Sequence, residues 1–349
     1  MKKTILFGYP EDYYISELIR ENIRYSLAGE KYEIIDIAFS KKFKYKNFGQ
    51  RLNNFLRKTF LRDKTYKVNL KFSIHEKEIS YKLKKFTEVD YIFLIRPDVY
   101  PEYFIKKLRQ LSKKMIAYQW DGLNRFPLTY KIIHYFDRFF VFDPKDIDHS
   151  CKNLFFITNF YFDLPRFLDI KDIPQKNELY YIGTFDKRRI KETEQFIYKT
   201  KDIPINKNVL IRLPKHRLNY AKKSTYGIQF LMNEIVSFEK NIQMAKSAKV
   251  LLEFVNISFH KGLTFRALEA LCFDKKLITN NPEIVHYDFY KKENIFIIGQ
   301  DDDLQLENFI NSSYVAIAPS IKEKYSFTNW IKYILDIPPY SPITPPTIY

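Results

Sequence analysis

The sequence predicts an α/β protein made of two successive domains, each a parallel sheet covered by helices on both faces. Three observations carry this. Short apolar runs alternate with amphipathic stretches along the chain, the pattern of buried parallel strands joined by crossover helices. The alternation restarts after Tyr161–Pro174, a segment that contains Pro165 and Pro174. Finally, 349 residues suit two domains of about 150 each better than one core.

In the first half, TILF (4–7) reads as an opening strand ended by Gly8, YYISELIRENIRYSL (13–27) as a helix, and YEIIDIAF (32–39) as a second strand. A helix over about 76–87 precedes a strand in YIFLIRP (91–97). EYFIKKLRQLS (102–112) is a helix and KMIAYQWD (114–121) a strand. IIHYFDRFFVFD (132–143) runs from a short helix into a strand, and NLFFITNFYF (153–162) closes the half. The second series contains strands at the start of ELYYIGTFDKRR (178–189), in NVLIRLPK (208–215), KVLLEFVN (249–256), KKLITNN (275–281) and NIFIIGQ (294–300). Helices near 190–200, 236–248, 263–272 and from Leu304 separate or follow them. Two such series suggest two Rossmann-like domains facing each other across a cleft, with ligands gathered at the carboxyl ends of the strands. The expected boundaries are 1–163, 175–320, a helix within 321–337 that crosses back to the first domain, and a Pro-rich tail, 338–349, unable to join a core.

Cys151 and Cys272 form no CxxC pair and no disulfide framework, so a reducing compartment is expected. The charged start MKKTILFGYP has too short an apolar run for a secretion signal, and no stretch approaches the roughly 18 apolar residues of a membrane span. The expectation is a cytoplasmic protein, at most peripheral on the inner face of a bacterial membrane. A formal charge of +17 implies an anionic partner, although a Lys-rich surface alone would give the same figure. One region exceeds this background: residues 41–67 hold ten Lys/Arg and one Asp. Within it, Phe48, Leu52, Phe55, Leu56 and Phe60 recur at helical spacing, with Arg51, Arg57, Lys58 and Arg62 on other faces. Such a helix can lie in an anionic membrane interface or pack its stripe on the core.

The stretch FHKGLTFRALEALCFDKKLITNN (259–281) holds the densest set of candidate ligand groups. A strand ends, His260 and Lys261 follow, and Gly262 turns the chain into a helix whose free amides favour a phosphate. Arg266 can add a bidentate anion contact, and Glu269, three residues on, can accept from a ribose. An ordinary surface Arg–Glu pair would have the same spacing.

KGLTFRALEALCFDKKLITNN resembles the carboxy-domain signature of bacterial GT-B glycosyltransferases of lipopolysaccharide and capsule biosynthesis. YQWDGL (118–123), FDRFFVFDPKD (136–146), YYIGTFDKRR (180–189) and YDFYKKENIFII (287–298) are similar to further landmarks of that group, in order. The resemblance implies a nucleotide-sugar donor in the second domain and a saccharide or lipid-linked saccharide acceptor at the first. Glu269 would bind the ribose; Arg266, Lys261 and the Gly262–Leu263–Thr264 helix start would neutralise phosphate. Gly183 with Arg188 or Arg189 would line the site, with Lys215 a further phosphate contact. No metal or other cofactor is implied, since fixed cations and amides balance the leaving group. Retaining members often carry two glutamates separated by seven residues, but Lys261 occupies the partner position of Glu269. This implies an inverting displacement with a base in the first domain. Asp121 is the first candidate for that base, and Glu11 and Asp12 are alternatives; a strand-end Asp can equally cap a turn. His260 could act as base, phosphate donor or structural residue. The DDD run at 301–303 and Asp143–Asp146 read as turn and helix-start acids rather than metal ligands. Two competing readings are a nucleic-acid-binding protein using its basic surface, against which stand the spread of basic residues over both domains and the lack of an RNP-like or zinc-finger signature, and a non-catalytic nucleotide-sugar-binding protein.

Overall fold

Six parallel strands form the first sheet: β1 (Lys3–Gly8), β2 (Tyr32–Asp36), β3 (Val89–Ile95), β4 (Ser112–Gln119), β5 (Arg138–Val141) and β6 (Leu154–Phe156). The structure is a computed structural model and describes residues 2–12, 15–29, 31–169, 173–214, 217, 227–232 and 235–346. The strand order is β2-β1-β3-β4-β5-β6, so the winding reverses between β1 and β3. Register is set by the apolar alternation: Leu6 stands beside Ile35 and Ile92, and Phe93 beside Ile116. Leu6, Ile92, Leu94 and Ala117 pack on one side with Phe72, Ile79, Phe104 and Leu108 from flanking helices. On the other side the rings of Phe93 and Tyr118 lie 6.1 and 5.0 Å from Trp330.

Trp330 belongs to the helix Phe327–Leu335, which buries Phe327, Trp330, Ile331, Ile334 and Leu335. Its indole donates to the Thr158 carbonyl (3.0 Å), and its last carbonyls accept from Arg138 Nη1 (2.7 Å from Tyr333 O and 3.1 Å from Ile334 O). A cation at a helix carboxyl end satisfies otherwise unpaired carbonyls and complements the dipole. Contacts therefore group Met1–Thr158 with Phe327–Pro345 as one unit and Asn159–Ser326 with Pro346–Tyr349 as the other. The tail corrects a sequence expectation: Ile343 is 1% exposed, and Asn329 clasps the Ser341 backbone through both its amide atoms (2.9 and 2.7 Å). Proline's fixed backbone does not prevent an intervening isoleucine from reaching a core.

The second unit repeats the architecture with β7 (Glu178–Thr184), β8 (Asn206–Leu213), β9 (Ile228–Met232), β10 (Val250–Glu253), β11 (Lys276–Thr279) and β12 (Ile295–Ile297). All pairs are parallel and the order is β12-β11-β10-β7-β8-β9. Counted within the unit this is 3-2-1-4-5-6, the Rossmann order, with its switch point between β7 and β10. Val209, Ile211, Val250, Leu252 and Ile278 meet Ile190, Phe196 and Ile197 of the helix Lys187–Lys199 in its core.

Two elements near the sheets were not legible in the sequence. TYKVNLKF (65–72) alternates apolar and polar residues as a strand does, yet it forms a helix, Thr65–Phe72. Phe72 decides this by inserting among Phe39, Tyr100 and Phe104, at ring distances of 5.4, 5.9 and 4.4 Å. IQFLM, too short to stand out, is β9. The basic amphipathic stretch is a helix over Phe48–Phe60 with no buried residue. Phe48, Phe55 and Phe60 are 74, 59 and 73% exposed, so its stripe is not packed on a core. Among the described residues no helix is long and apolar enough to cross a membrane.

Candidate active site

In the second unit, the carboxyl ends of β7 and β10 flank the switch point, where ligands of such sheets collect. After β7 the chain enters the helix Lys187–Lys199, whose first free amides, Arg188 N and Arg189 N, are taken by the Asp186 carboxylate (both 3.1 Å). The Arg188 side chain lies across to the loop after β10, donating to Asn256 Oδ1 (3.1 Å) and Ser258 Oγ (3.2 Å) and to Glu192 (3.1 Å). Arg189 donates to the Thr184 carbonyl at 3.3 Å. Gly183 lies on β7, where a Cβ would stand 2.6 Å from the Tyr181 hydroxyl.

Beneath these loops lies a polar network. Glu253, at the end of β10, accepts from the hydroxyls of Thr264 and Thr279, the latter at 2.7 Å, and is 4% exposed. Thr264 also caps the helix Phe265–Cys272 by accepting from Arg266 N at 3.1 Å. Asn241 Oδ1 accepts from the Tyr180 hydroxyl (3.0 Å) and from Arg266 Nη2 (3.1 Å), while its amide approaches Glu269 Oε1 at 3.4 Å. Arg266 Nη1 and Glu269 Oε2 are 2.7 Å apart. Burial pushes the carboxyls of Glu253 and Glu269 above their ordinary range, and Arg266 opposes the shift at both.

In the first unit a cavity of about 540 Å³ opens at the carboxyl ends of β3 and β4. Its floor is Arg96, a non-glycine residue at φ +59°, 4% exposed. Its guanidinium grips Asp98 at both oxygens (2.6 and 2.8 Å) and Asp121 Oδ2 (2.5 Å), and lies 3.9 Å from the Phe126 ring centre. Arg125 holds the other Asp121 oxygen at 3.1 Å. Lys41, Lys64, Lys67 and Lys71 line the same cavity. Burial lowers the Lys71 ammonium's affinity for its proton, and Lys67 and Lys41 add to this, opposed by Asp12 and Asp98.

No protein-family model matches the chain, and no curated protein does. Solved structures do. A UDP-forming α,α-trehalose-phosphate synthase from Burkholderia xenovorans superposes with a TM-score of 0.55 at 10% identity, covering 97% of this chain and 98% of its own. A provisional UDP-N-acetylglucosamine 2-epimerase from Listeria monocytogenes gives 0.51 at 9%, covering 98% and 100%. A UDP-glucosyltransferase from Polygonum tinctorium gives 0.50 at 9%, covering 97% and 98%. The chain has the GT-B fold. These structural neighbours include transferases and an epimerase, so the fold leaves the reaction to be argued from the residues.

Within this GT-B chain the predicted residues divide by depth. Gly183, Arg188 and Arg189 sit on the loop side of the switch point. Lys261 pairs with Glu283, and His260 follows Asn256 in the same loop, its amide donating to the Asn256 carbonyl (3.3 Å). Gly262 precedes the helix, whose cap is Thr264. Arg266 and Glu269 are not the ordinary surface pair that their spacing also allowed, because their side chains are 12% and 7% exposed and turned to Asn241. Spacing placed them on one face; packing of Ala267, Leu268, Ala270 and Leu271 decided that this face lies inward. Lys215 falls outside the described residues. Asp121 lines the cavity of the first unit. Asp12 holds the loop after β2 by accepting from Ser40 Oγ (2.6 Å) and Lys41 N, and Glu11 is exposed with its amide on Phe39 O (3.1 Å). The 301–303 acids are each engaged: Asp301 by Ile297 N (2.6 Å) and Asp302 by Leu304 N (3.0 Å) within their own turn, and Asp303 by Lys199 from a distant helix. Glu253, Asn241, Arg96 and the lysines of Thr65–Phe72 were missed by sequence reasoning. Arg96 and Asp98, charged residues directly after an apolar strand, carried a usable signal; the lysines were hidden by the abundance of Lys.

Proposed function

We propose that this GT-B chain is a glycosyltransferase that moves a sugar from a nucleotide-sugar donor to a bacterial surface saccharide, of lipopolysaccharide or capsule type. The observation that carries the reading is the Rossmann-ordered second unit, with Gly183 near the carboxyl end of β7, Arg188 and Arg189 in the first turn of the helix that follows it, and Lys261 in the segment after β10. Cationic side chains at such a crevice suit a diphosphate without a metal ion. Glu269 would meet the ribose through Oε1, whose approach to Asn241 is long at 3.4 Å and can be exchanged for a ribose hydroxyl. Arg266 then holds Glu269 in place rather than touching phosphate.

Asp121 is the proposed base of an inverting displacement. The acceptor oxygen attacks the anomeric carbon, the bond to the nucleotide diphosphate breaks and its electron pair leaves with the diphosphate, and the acceptor proton passes to the carboxylate. The exposed face of Phe48–Phe60, apolar in the middle and flanked by Arg51, Lys58 and Arg62, supports docking on the anionic cytoplasmic side of a membrane that carries the acceptor.

A thermal-shift screen of UDP-, GDP-, CMP- and ADP-sugars, followed by measurement of nucleotide release with saccharide acceptors, tests the reading. One donor should raise the melting temperature and release nucleotide only when acceptor is present. Stabilisation by a donor with release of no nucleotide under any acceptor would leave a binding protein or an epimerase instead.

A further inference from the structure

We propose that the cavity of the first unit is a subsite for a phosphoryl group on the acceptor, held by Lys67 and Lys71 of one helix and its cap residue Lys64, with Lys41 lining the same cavity. The acceptor role rests on the transferase reading above; the phosphate site does not.

The argument begins with spacing. Positions 64, 67 and 71 step by three and four residues, so the helix Thr65–Phe72 with its preceding cap residue presents three ammonium groups along one stripe. All three line the cavity. The helix contains no acid, and among the described residues no carboxylate lies within ion-pair distance of these three lysines. The floor is different. There Arg96 and Arg125 are matched by Asp98 and Asp121, so the floor is nearly neutral and the excess charge belongs to the lysine wall. Like charges gathered on a half-enclosed space repel one another, and the half-buried Lys71 ammonium is disfavoured by burial and by its two lysine neighbours. A bound dianion reverses that balance.

The chemistry of the walls narrows the ligand further. Lysines act as separate point charges around a compact anion, whereas a single carboxylate is better matched by the planar fork of arginine. A phosphate monoester carries about −1.5 to −2 at neutral pH and has three acceptor oxygens to share. Beside the lysines stand Phe39, Trp120 and Phe126, flat surfaces for a sugar ring. About 540 Å³ lies within the roughly 300–1,000 Å³ range of small-molecule sites. Asp121, on the same wall as Trp120, is then the carboxylate that faces an acceptor seated by its phosphate.

Trp120 lines the cavity and the other tryptophan, Trp330, is fully buried, so intrinsic fluorescence of the full chain reads occupancy of this site. The titration uses a hexose 6-phosphate, the matching hexose, inorganic phosphate, and phosphatidylcholine vesicles with and without an isoprenoid phosphate. A hexose 6-phosphate is expected to bind at least tenfold more tightly than the hexose, and K67Q/K71Q to remove most of that difference while leaving circular dichroism unchanged. Tighter binding to the isoprenoid-phosphate vesicles than to the soluble ester would assign the phosphoryl group to a lipid carrier. Equal binding of hexose and hexose phosphate by the unaltered chain overturns the proposal without recourse to the variant, as does lysine-dependent binding of a single-stranded oligonucleotide that excludes every phosphorylated sugar. Phosphate binding without donor turnover would retain this subsite and remove the transferase. Donor turnover onto an unphosphorylated acceptor, unchanged in K67Q/K71Q, would do the reverse.

Discussion

Replacing Arg96 by alanine should destabilise the first unit by about 3 kcal/mol, the lower end of the roughly 3–5 kcal/mol expected when a buried ion pair loses one partner. The structure sets this figure. Arg96 neutralises two carboxylates, Asp98 at 8% and Asp121 at 22% side-chain exposure. Asp121 retains Arg125 after the substitution, and the cavity lysines are close enough to screen Asp98 in part. The backbone adds a separable term, since Arg96 adopts φ +59°, ψ +62°, where a side chain costs about 1 kcal/mol relative to glycine. Arg96→Gly loses the same ion pairs but sheds this strain, so it should cost about 2 kcal/mol. Urea unfolding followed by tryptophan fluorescence measures both, because the two tryptophans, Trp120 and Trp330, lie in this unit. A loss below 1 kcal/mol for Arg96→Ala, or a glycine variant less stable than the alanine one, would refute the reasoning.

Asp146 offers a pH test: burial and the nearby Asp143 raise its carboxyl to about 6, against an ordinary 3.8, despite the bond from Leu123 N. The folded chain then holds a proton that the unfolded chain has released. Stability should fall by about 1–2 kcal/mol as pH rises from about 4 to about 6, solvent screening of this part-exposed carboxyl included, and Asp146→Asn should flatten that decline in fluorescence-monitored unfolding. Glu269→Ala strands the buried Arg266 and should cost about 3–5 kcal/mol, whereas Glu269→Gln should fold and weaken donor binding at least tenfold in calorimetry; normal donor binding in a folded Gln variant would remove the ribose contact. Asp121→Asn should abolish acceptor-dependent nucleotide release while donor binding persists, and a fully active variant would place the base elsewhere. Phe55→Asp with Phe60→Asp should abolish sedimentation with phosphatidylglycerol vesicles, and unchanged sedimentation would mean that Phe48–Phe60 is not the docking face.

By itself the sequence determined the two α/β series, because hydrophobic periodicity is local and survives without knowledge of neighbours: β1, β3, β4, β7 and β10 all stand where apolar runs lie. It also located the strand ends near which Gly183, Arg188 and Lys261 lie, since charged and glycine residues at the end of buried strands mark where a strand stops. Only tertiary structure decided which way side chains face. Arg266 and Glu269 share a helix face in any reading of their spacing, but the sheet beneath turned that face inward. TYKVNLKF has a strand's alternation, but the pocket for Phe72 made it a helix and so aligned Lys67 with Lys71. The Arg96–Asp98–Asp121 cluster joins the ends of two strands that pair only through a crossover. Local periodicity fixes what an element is; burial, which sums contacts from distant segments, fixes what it presents.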